Sequence, residues 1–183
     1  MKFRDLRADE IDVRIAMCKE KGCSLLLYKD ARCDMNILDE TVGAENWQRE
    51  HYECKGNLFC RLGIKCGDEW IYKSDCGKES NTEAEKGEAS DSFKRAAFNW
   101  GLGRELYTSP FIWVMSDKCK IYDTGRKDKY NKPVFACSDK FVVEKIIIQN
   151  KKIVALSIFN ETQGKRAFIY QDKNWKAEDK TNE

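Results

Sequence analysis

The sequence predicts an α+β protein in which an antiparallel meander of strands packs on helices. Three observations carry this. Two stretches have helical periodicity: Phe93, Ala96, Ala97 and Trp100 fall at i, i+3, i+4 and i+7, and Met35, Leu38 and Val42 follow Asp30. Between them lie three strand-like runs separated by the turns Lys55-Gly56-Asn57 and Gly67-Asp68. Three more apolar runs follow near the C-terminal end, with turns at Asn150-Lys151 and Gln163-Gly164. The predicted order is α-β-β-β-α, with an additional small C-terminal β-meander.

Taken in order, Ala8 to Lys19 predicts a short amphipathic helix, with Ile11, Ile15 and Cys18 on one side and Gly22 beyond its end. Ser24 to Tyr28 predicts a short apolar strand. Asp30 opens a second helix that Gly43 stops, and Arg32 sits in its first turn. The strands are expected at Asn46 to Cys54, Leu58 to Cys66 and Glu69 to Asp75. Alternation puts Leu58, Cys60, Leu62, Ile64 and Cys66 on one face of the middle strand and Phe59, Arg61, Gly63 and Lys65 on the other. Arg61, Lys65 and Lys73 are read as decorating one side of the sheet, either as a solvated face or as a binding surface.

The stretch from Lys73 to Tyr107 organises the chain. Asn81-Thr82 followed by Glu85 predicts a helix start, and Gly101 and Gly103 predict its end. Lys86, Ser90 and Lys94 share a second face, with Arg95 about 100° further round. Acids crowd the first half of this helix. Lys94 and Arg95 hold the second half, and Arg104 follows the glycines. Pro110 to Met115 is a short apolar segment. Residues 116–139 are expected to form a flexible loop in which basic and aromatic residues interleave. Strands follow at Lys140 to Gln149, Lys152 to Asn160 and Arg166 to Gln171. The expected organisation is a core over residues 1–115, the loop over 116–139, and a β-meander over 140–176 appended to the core.

Composition narrows the function classes. The chain has 183 residues, 42% hydrophobic and 35% charged, with a net charge of +2. A protein basic all over is excluded, so a nucleic-acid site has to gather its cations locally. No apolar run of membrane-spanning length and no charged-then-apolar leader at Met1 is present, so a cytoplasmic location and no membrane partner are expected. The nine cysteines form no CxxC pair, and His51 is the one histidine. Cys54, Cys60 and Cys66 are read as small hydrophobic filler in a reducing compartment, and neither metal nor cofactor is expected. No catalytic residue is assigned, because nucleophile elbow, phosphate loop and dinucleotide-binding glycine pattern are all missing. The alternative is a metal-dependent nuclease using the acidic residues around Asp75–Asp91, namely Asp75, Glu79, Glu83, Glu85, Glu88 and Asp91. That chemistry needs two or three of them to converge on one ion.

The runs NILDETVGAENWQREHYECKGNLFCRLGI, EWIYKSDCGKES and EAEKGEASDSFKRAAFNWGLGRELY resemble the Rad fifty-two family of DNA single-strand annealing proteins, in its bacteriophage and prophage branch. The likeness covers about Ala8 to Tyr107 and is most specific from Glu83 to Trp100. It implies a non-enzymatic protein of homologous recombination and DNA repair that binds single-stranded DNA and anneals complementary strands. It also implies assembly into a ring or helical filament, with phosphates inward and bases outward. The implied partners are single-stranded DNA, further copies of the chain and, as a class, a cooperating exonuclease or single-strand-binding protein. In a phage-encoded protein, the location would be the bacterial host cytoplasm. The family's helix cations fall on Lys86, Lys94 and Arg95, and its cation early in the preceding helix falls near Arg32. Arg61, Lys65, Lys73 and Arg104 complete the candidate DNA-binding set. Where some members carry another arginine after the Lys-Arg pair, this sequence has Phe98.

Overall fold

The computed structural model describes residues 1–77 and 84–175, the side chains of 84–86 excepted. In chain order the elements are β1 (Asp12–Lys19), β2 (Gly22–Tyr28), α1 (Ala31–Val42), β3 (Trp47–Cys54), β4 (Asn57–Cys66), β5 (Glu69–Cys76), α2 (Ala84–Trp100), β6 (Ile112–Met115), β7 (Ile121–Lys127), β8 (Pro133–Cys137), β9 (Phe141–Gln149), β10 (Lys152–Asn160) and β11 (Lys165–Gln171). Short 3₁₀ turns occupy Ala8–Glu10, Ala44–Asn46 and Arg104–Thr108. The fold is mixed helix and sheet, and its strand pairs are antiparallel.

The chain divides into two compact units, each built from two separate stretches. The first comprises Met1–Leu6 and Lys29–Arg104, the second Arg7–Tyr28 and the chain from Glu105 onward. Residues 1–115, expected as one core, therefore contribute to both units.

In the first unit, β3, β4 and β5 form a three-stranded sheet in that order. Alternation along β4 turns Cys60, Leu62 and Ile64 to one face, where all three are fully buried. Helix α2 packs on β4 and β5 through Phe93, Ala96 and Ala97, each 0% exposed. The alanines let the helix backbone approach the sheet closely. Trp100, the last residue of this apolar stripe, is half-buried and donates its indole N–H to the Leu62 carbonyl at 3.1 Å. Helix α1 begins where Asp30 caps the Arg32 N–H at 2.8 Å, and it buries Ile37 and Leu38. Its first turn also holds a buried ion pair between Lys29 and Asp34. The chain leaves α2 through Gly101, whose φ of 104° a side chain would strain. The expected helix start at Asn81-Thr82 lies outside the described residues. Among the cysteines read as filler, Cys60 is buried and its thiol is pushed up to about 11 by burial. Cys66 is half-buried, and Cys54 is exposed because it ends β3 at a turn.

The second unit holds a six-stranded sheet in the order β11-β10-β9-β1-β2-β6. This corrects two expectations. Ala8 to Lys19 is a 3₁₀ turn followed by a strand, not a helix. Ile11 and Ile15 satisfy the helical spacing, but Ile11, Val13 and Ile15 also alternate and are β-branched, and pairing with Gly22–Tyr28 decides between the two. The C-terminal strands are likewise not a separate appendage, since β9 pairs with β1 at Asp12↔Val142. The segment expected as a loop carries the hairpin β7–β8, with Ile121 opposite Cys137. Its polar composition suits β7, which is exposed along most of its length, while β8 is half-buried after Pro133.

Across the strand between them, Arg166 on β11 holds Glu144 on β9 through two hydrogen bonds of 2.6 Å. That pairing holds the Glu144 carboxyl at about 2 instead of its ordinary 4.5. A lowered folded-state value contributes stability that is complete above the ordinary carboxylate range and is lost as pH falls through the folded value. Arg166→Ala is therefore expected to lower thermal stability at neutral pH and to flatten its fall between about pH 4.5 and about pH 2. Melting curves across that window check it.

Candidate nucleic-acid interface

The expected DNA-binding cations all lie in the first unit, yet they fall on three separate places. The register of the β4–β5 hairpin decides much of this. Two residues, Gly67 and Asp68, make the turn, so Cys66 faces Glu69 and Leu62 faces Lys73. Lys73 therefore lies on the α2 side of the sheet. Arg61 pairs with Ser74 and Lys65 with Trp70, which puts both on the opposite side. The expectation that Arg61, Lys65 and Lys73 decorate one face is corrected accordingly.

Lys73 and Arg104 are engaged at the C-terminal end of α2. Lys73 Nζ donates to the Asn99 carbonyl at 2.9 Å and lies 4.5 Å from the Trp100 ring centroid. Arg104 donates to the Phe98 carbonyl at 2.9 Å and the Asn99 carbonyl at 3.0 Å, with its guanidinium over the Phe98 ring. The last turn of α2 contains no cation of its own. Lys73 and Arg104 supply the positive charge that its unpaired carbonyls favour. Both are structural cations first.

Arg95 turns toward β5, where its Nε lies 3.4 Å from Asp75 Oδ1. Asp75 also accepts from Asn99 at 3.3 Å. Lys94, one residue back, emerges on the other side of α2, where α1 packs. It is half-buried and makes no ion pair or hydrogen bond with the described residues. Its charge, with that of Arg32, helps hold the Asp30 carboxyl below the usual carboxylate range. The larger cause is the hydrogen bond from Arg32, whose Nη2 lies 2.7 Å from Asp30 Oδ2. Arg32 is 83% exposed. The start of α1 and the middle of α2 thus bring together two cations and one carboxylate. Lys86 belongs to α2, but its side chain lies outside the described residues.

The outer face of the sheet is a second candidate surface, of which the sequence reading named Phe59 and Gly63 beside the cations but not Tyr52, Trp70 or Tyr72. Tyr52, Phe59, Trp70 and Tyr72 line it with Arg61 and Lys65. Tyr52 stacks on Phe59 at 5.6 Å and Trp70 on Tyr72 at 6.4 Å. Tyr72 lies across Gly63, where an added Cβ would come within 2.5 Å of the ring. Gln48 holds the Tyr72 hydroxyl at 2.7 Å, and Arg61 lies over the ring while pairing with Glu50 at 2.5 Å. Period-two alternation across three strands was the signal for this face. Arg49, also unassigned, lies 4.7 Å from the Phe93 centroid, on the α2 side.

The acidic residues of the nuclease alternative do not converge among the described residues. Asp75 holds Arg95 and Asn99, and Glu88 accepts the Leu58 N–H of β4 at 3.0 Å. Glu79 and Glu83 lie outside the described residues, as does the side chain of Glu85. Among the described residues, no helix is long and apolar enough to cross a membrane.

The model of the Rad52/22 family of double-strand break repair proteins matches residues 4–123. That span runs from the first residues of the first unit into β7 of the second. No curated protein and no solved structure matches the chain.

The placement of the cations separates structural from available charge. Lys73→Ala is expected to destabilise the protein by about 1 kcal/mol through the loss of a helix-end cation. Lys65→Ala, exposed on the outer face, is expected to stay within about 0.5 kcal/mol of the parent. Urea unfolding of the two variants checks this ordering.

Proposed function

The chain belongs to the Rad52/22 family of double-strand break repair proteins, and from that premise we propose that it binds single-stranded DNA and anneals complementary strands without acting as an enzyme. The observation that carries the reading is the meeting of Lys94 and Arg32 beside Asp30, where α2 packs on α1. Both cations stand on helices fixed by buried faces, so they offer a phosphate a rigid contact rather than a loose arm. Annealing needs that arrangement: phosphate and sugar are gripped while base edges stay open for pairing. Asp30 leaves a net charge of one at this place, which suits a weak contact repeated along an assembly. Arg95 contributes where phosphate replaces Asp75 at their 3.4 Å contact.

On this reading, the α1-β3-β4-β5-α2 order is the annealing core, and the chain acts as a homo-oligomer in a ring or helical filament. β3 and β5 are the edge strands of their sheet and offer backbone groups to a neighbouring copy. Arg61 and Lys65, set among aromatic rings, give a second surface on which bases or a neighbour can stack. The Glu83–Trp100 run supports a place in the bacteriophage and prophage branch.

Lys94→Ala is expected to weaken binding of an oligothymidylate and to flatten the slope of log affinity against log salt by about 0.7 per lost phosphate contact. Two complementary labelled strands mixed with the parent protein are expected to anneal at full length, with or without Mg²⁺. Unchanged affinity and salt slope in Lys94→Ala would remove α2 from the interface. Strands shortened in the presence of Mg²⁺ would favour the nuclease alternative.

A further inference from the structure

Three cysteines of the second unit come together from distant parts of the chain, and a fourth lies next to one of them. Cys18 lies on β1, Cys23 on β2, Cys119 in the turn after β6, and Cys137 on β8. Cys18 and Cys23 are register partners across the β1–β2 hairpin, so their side chains leave the same face. The Sγ atoms of Cys23, Cys119 and Cys137 all lie within 4.8 Å of one another, and the Cys23–Cys119 separation is 3.9 Å. Cys18 lies outside this three-sulfur group, beside it on β1 and directly across the hairpin from Cys23. Cys23 and Cys119 are buried, Cys18 and Cys137 half-buried.

Two features bear on what this cluster can hold. The first is geometry. A disulfide requires a sulfur separation of about 2.05 Å. Tetrahedral zinc with bonds of about 2.3 Å sets neighbouring thiolates about 3.8 Å apart. The observed 3.9 Å matches the second distance. The second is the fold. The β7–β8 hairpin is a two-stranded ladder that does not join the six-stranded sheet. Such a hairpin is marginal by itself, and the thiols sit where β8 packs on β1.

We propose that Cys23, Cys119 and Cys137, with Cys18 across the hairpin from Cys23 as the fourth ligand, bind a zinc ion that staples the β7–β8 hairpin to the β1–β2 hairpin. The β1–β2 hairpin supplies two thiolates, the turn after β6 one and β8 one, and four sulfur ligands close the coordination shell, which makes the site structural and not catalytic. This replaces the expectation of no metal. It does not depend on how the first unit engages DNA.

The test uses the full chain, expressed with zinc and purified in reducing buffer without chelator. Elemental analysis is expected to find one zinc per chain. Exchange for Co²⁺ is expected to give the intense visible bands and thiolate-to-metal charge transfer of a tetrahedral site. Cys18→Ser replaces a half-buried ligand. In chelator competition, it is expected to weaken zinc by at least the tenfold, roughly, that loss of an outer-shell partner costs. Cys54→Ser, exposed in the first unit, is expected to leave zinc retention unchanged. The proposal is overturned by protein without stoichiometric zinc whose cobalt spectrum is that of the hydrated ion. A Cys23–Cys119 disulfide in place of metal, or equal zinc loss in the Cys18→Ser and Cys54→Ser variants, overturns it as well.

Discussion

The first unit depends on one packing contact, the seat of α2 on β4. Phe93, Ala96 and Ala97 meet Cys60, Leu62 and Ile64, and all six are fully buried. A buried Leu, Ile or Phe contributes roughly 1.5–3 kcal/mol, so this face fixes the rotation of the helix firmly. Helical geometry then leaves little freedom to its neighbours. With Phe93 turned inward, Lys94 and Arg95 follow at steps of about 100°. Lys94 emerges beside α1 and Arg95 beside β5. The same seat puts the carbonyls of Phe98 and Asn99 where Lys73 and Arg104 reach them.

Five cations of this unit therefore already have work within the fold. Lys73 and Arg104 neutralise a helix end, Arg95 meets Asp75, Arg61 meets Glu50, and Lys29 is buried with Asp34. A net charge of +2 is distributed so that little positive charge remains for a ligand on one copy. For a protein proposed to hold a polyanion, repetition supplies what one copy lacks. A small cationic contact repeated along an assembly gives many phosphate contacts and a steep salt dependence.

Much of this was legible in the sequence. The Phe93–Trp100 stripe, the Asp30 cap and the alternation of β4 come from local periodicity, and the structure places them accordingly. The position of Lys73 was also legible, because a two-residue turn at Gly67-Asp68 dictates that it faces Leu62. Counting register, and not only charge, separates it from Arg61 and Lys65. Other features had no local signal. Ile11 and Ile15 fit both helix and strand spacing, and the deciding partner is β2. The β7–β8 hairpin is polar enough to pass for a loop. The thiol cluster joins residues 96 positions apart, so no spacing rule could expose it.

In the proposed mode of binding, α2 presents Lys94 to the DNA backbone while Lys73 serves the fold. Lysine labelling of the intact protein, read residue by residue by mass spectrometry with and without saturating oligothymidylate, tests it most directly. Strong protection of Lys94 on binding is expected, with no change at Lys73, whose amine is already engaged. Equal labelling of Lys94 in the free and bound protein, with protection confined to Lys65 or to the β7–β8 hairpin, would contradict it.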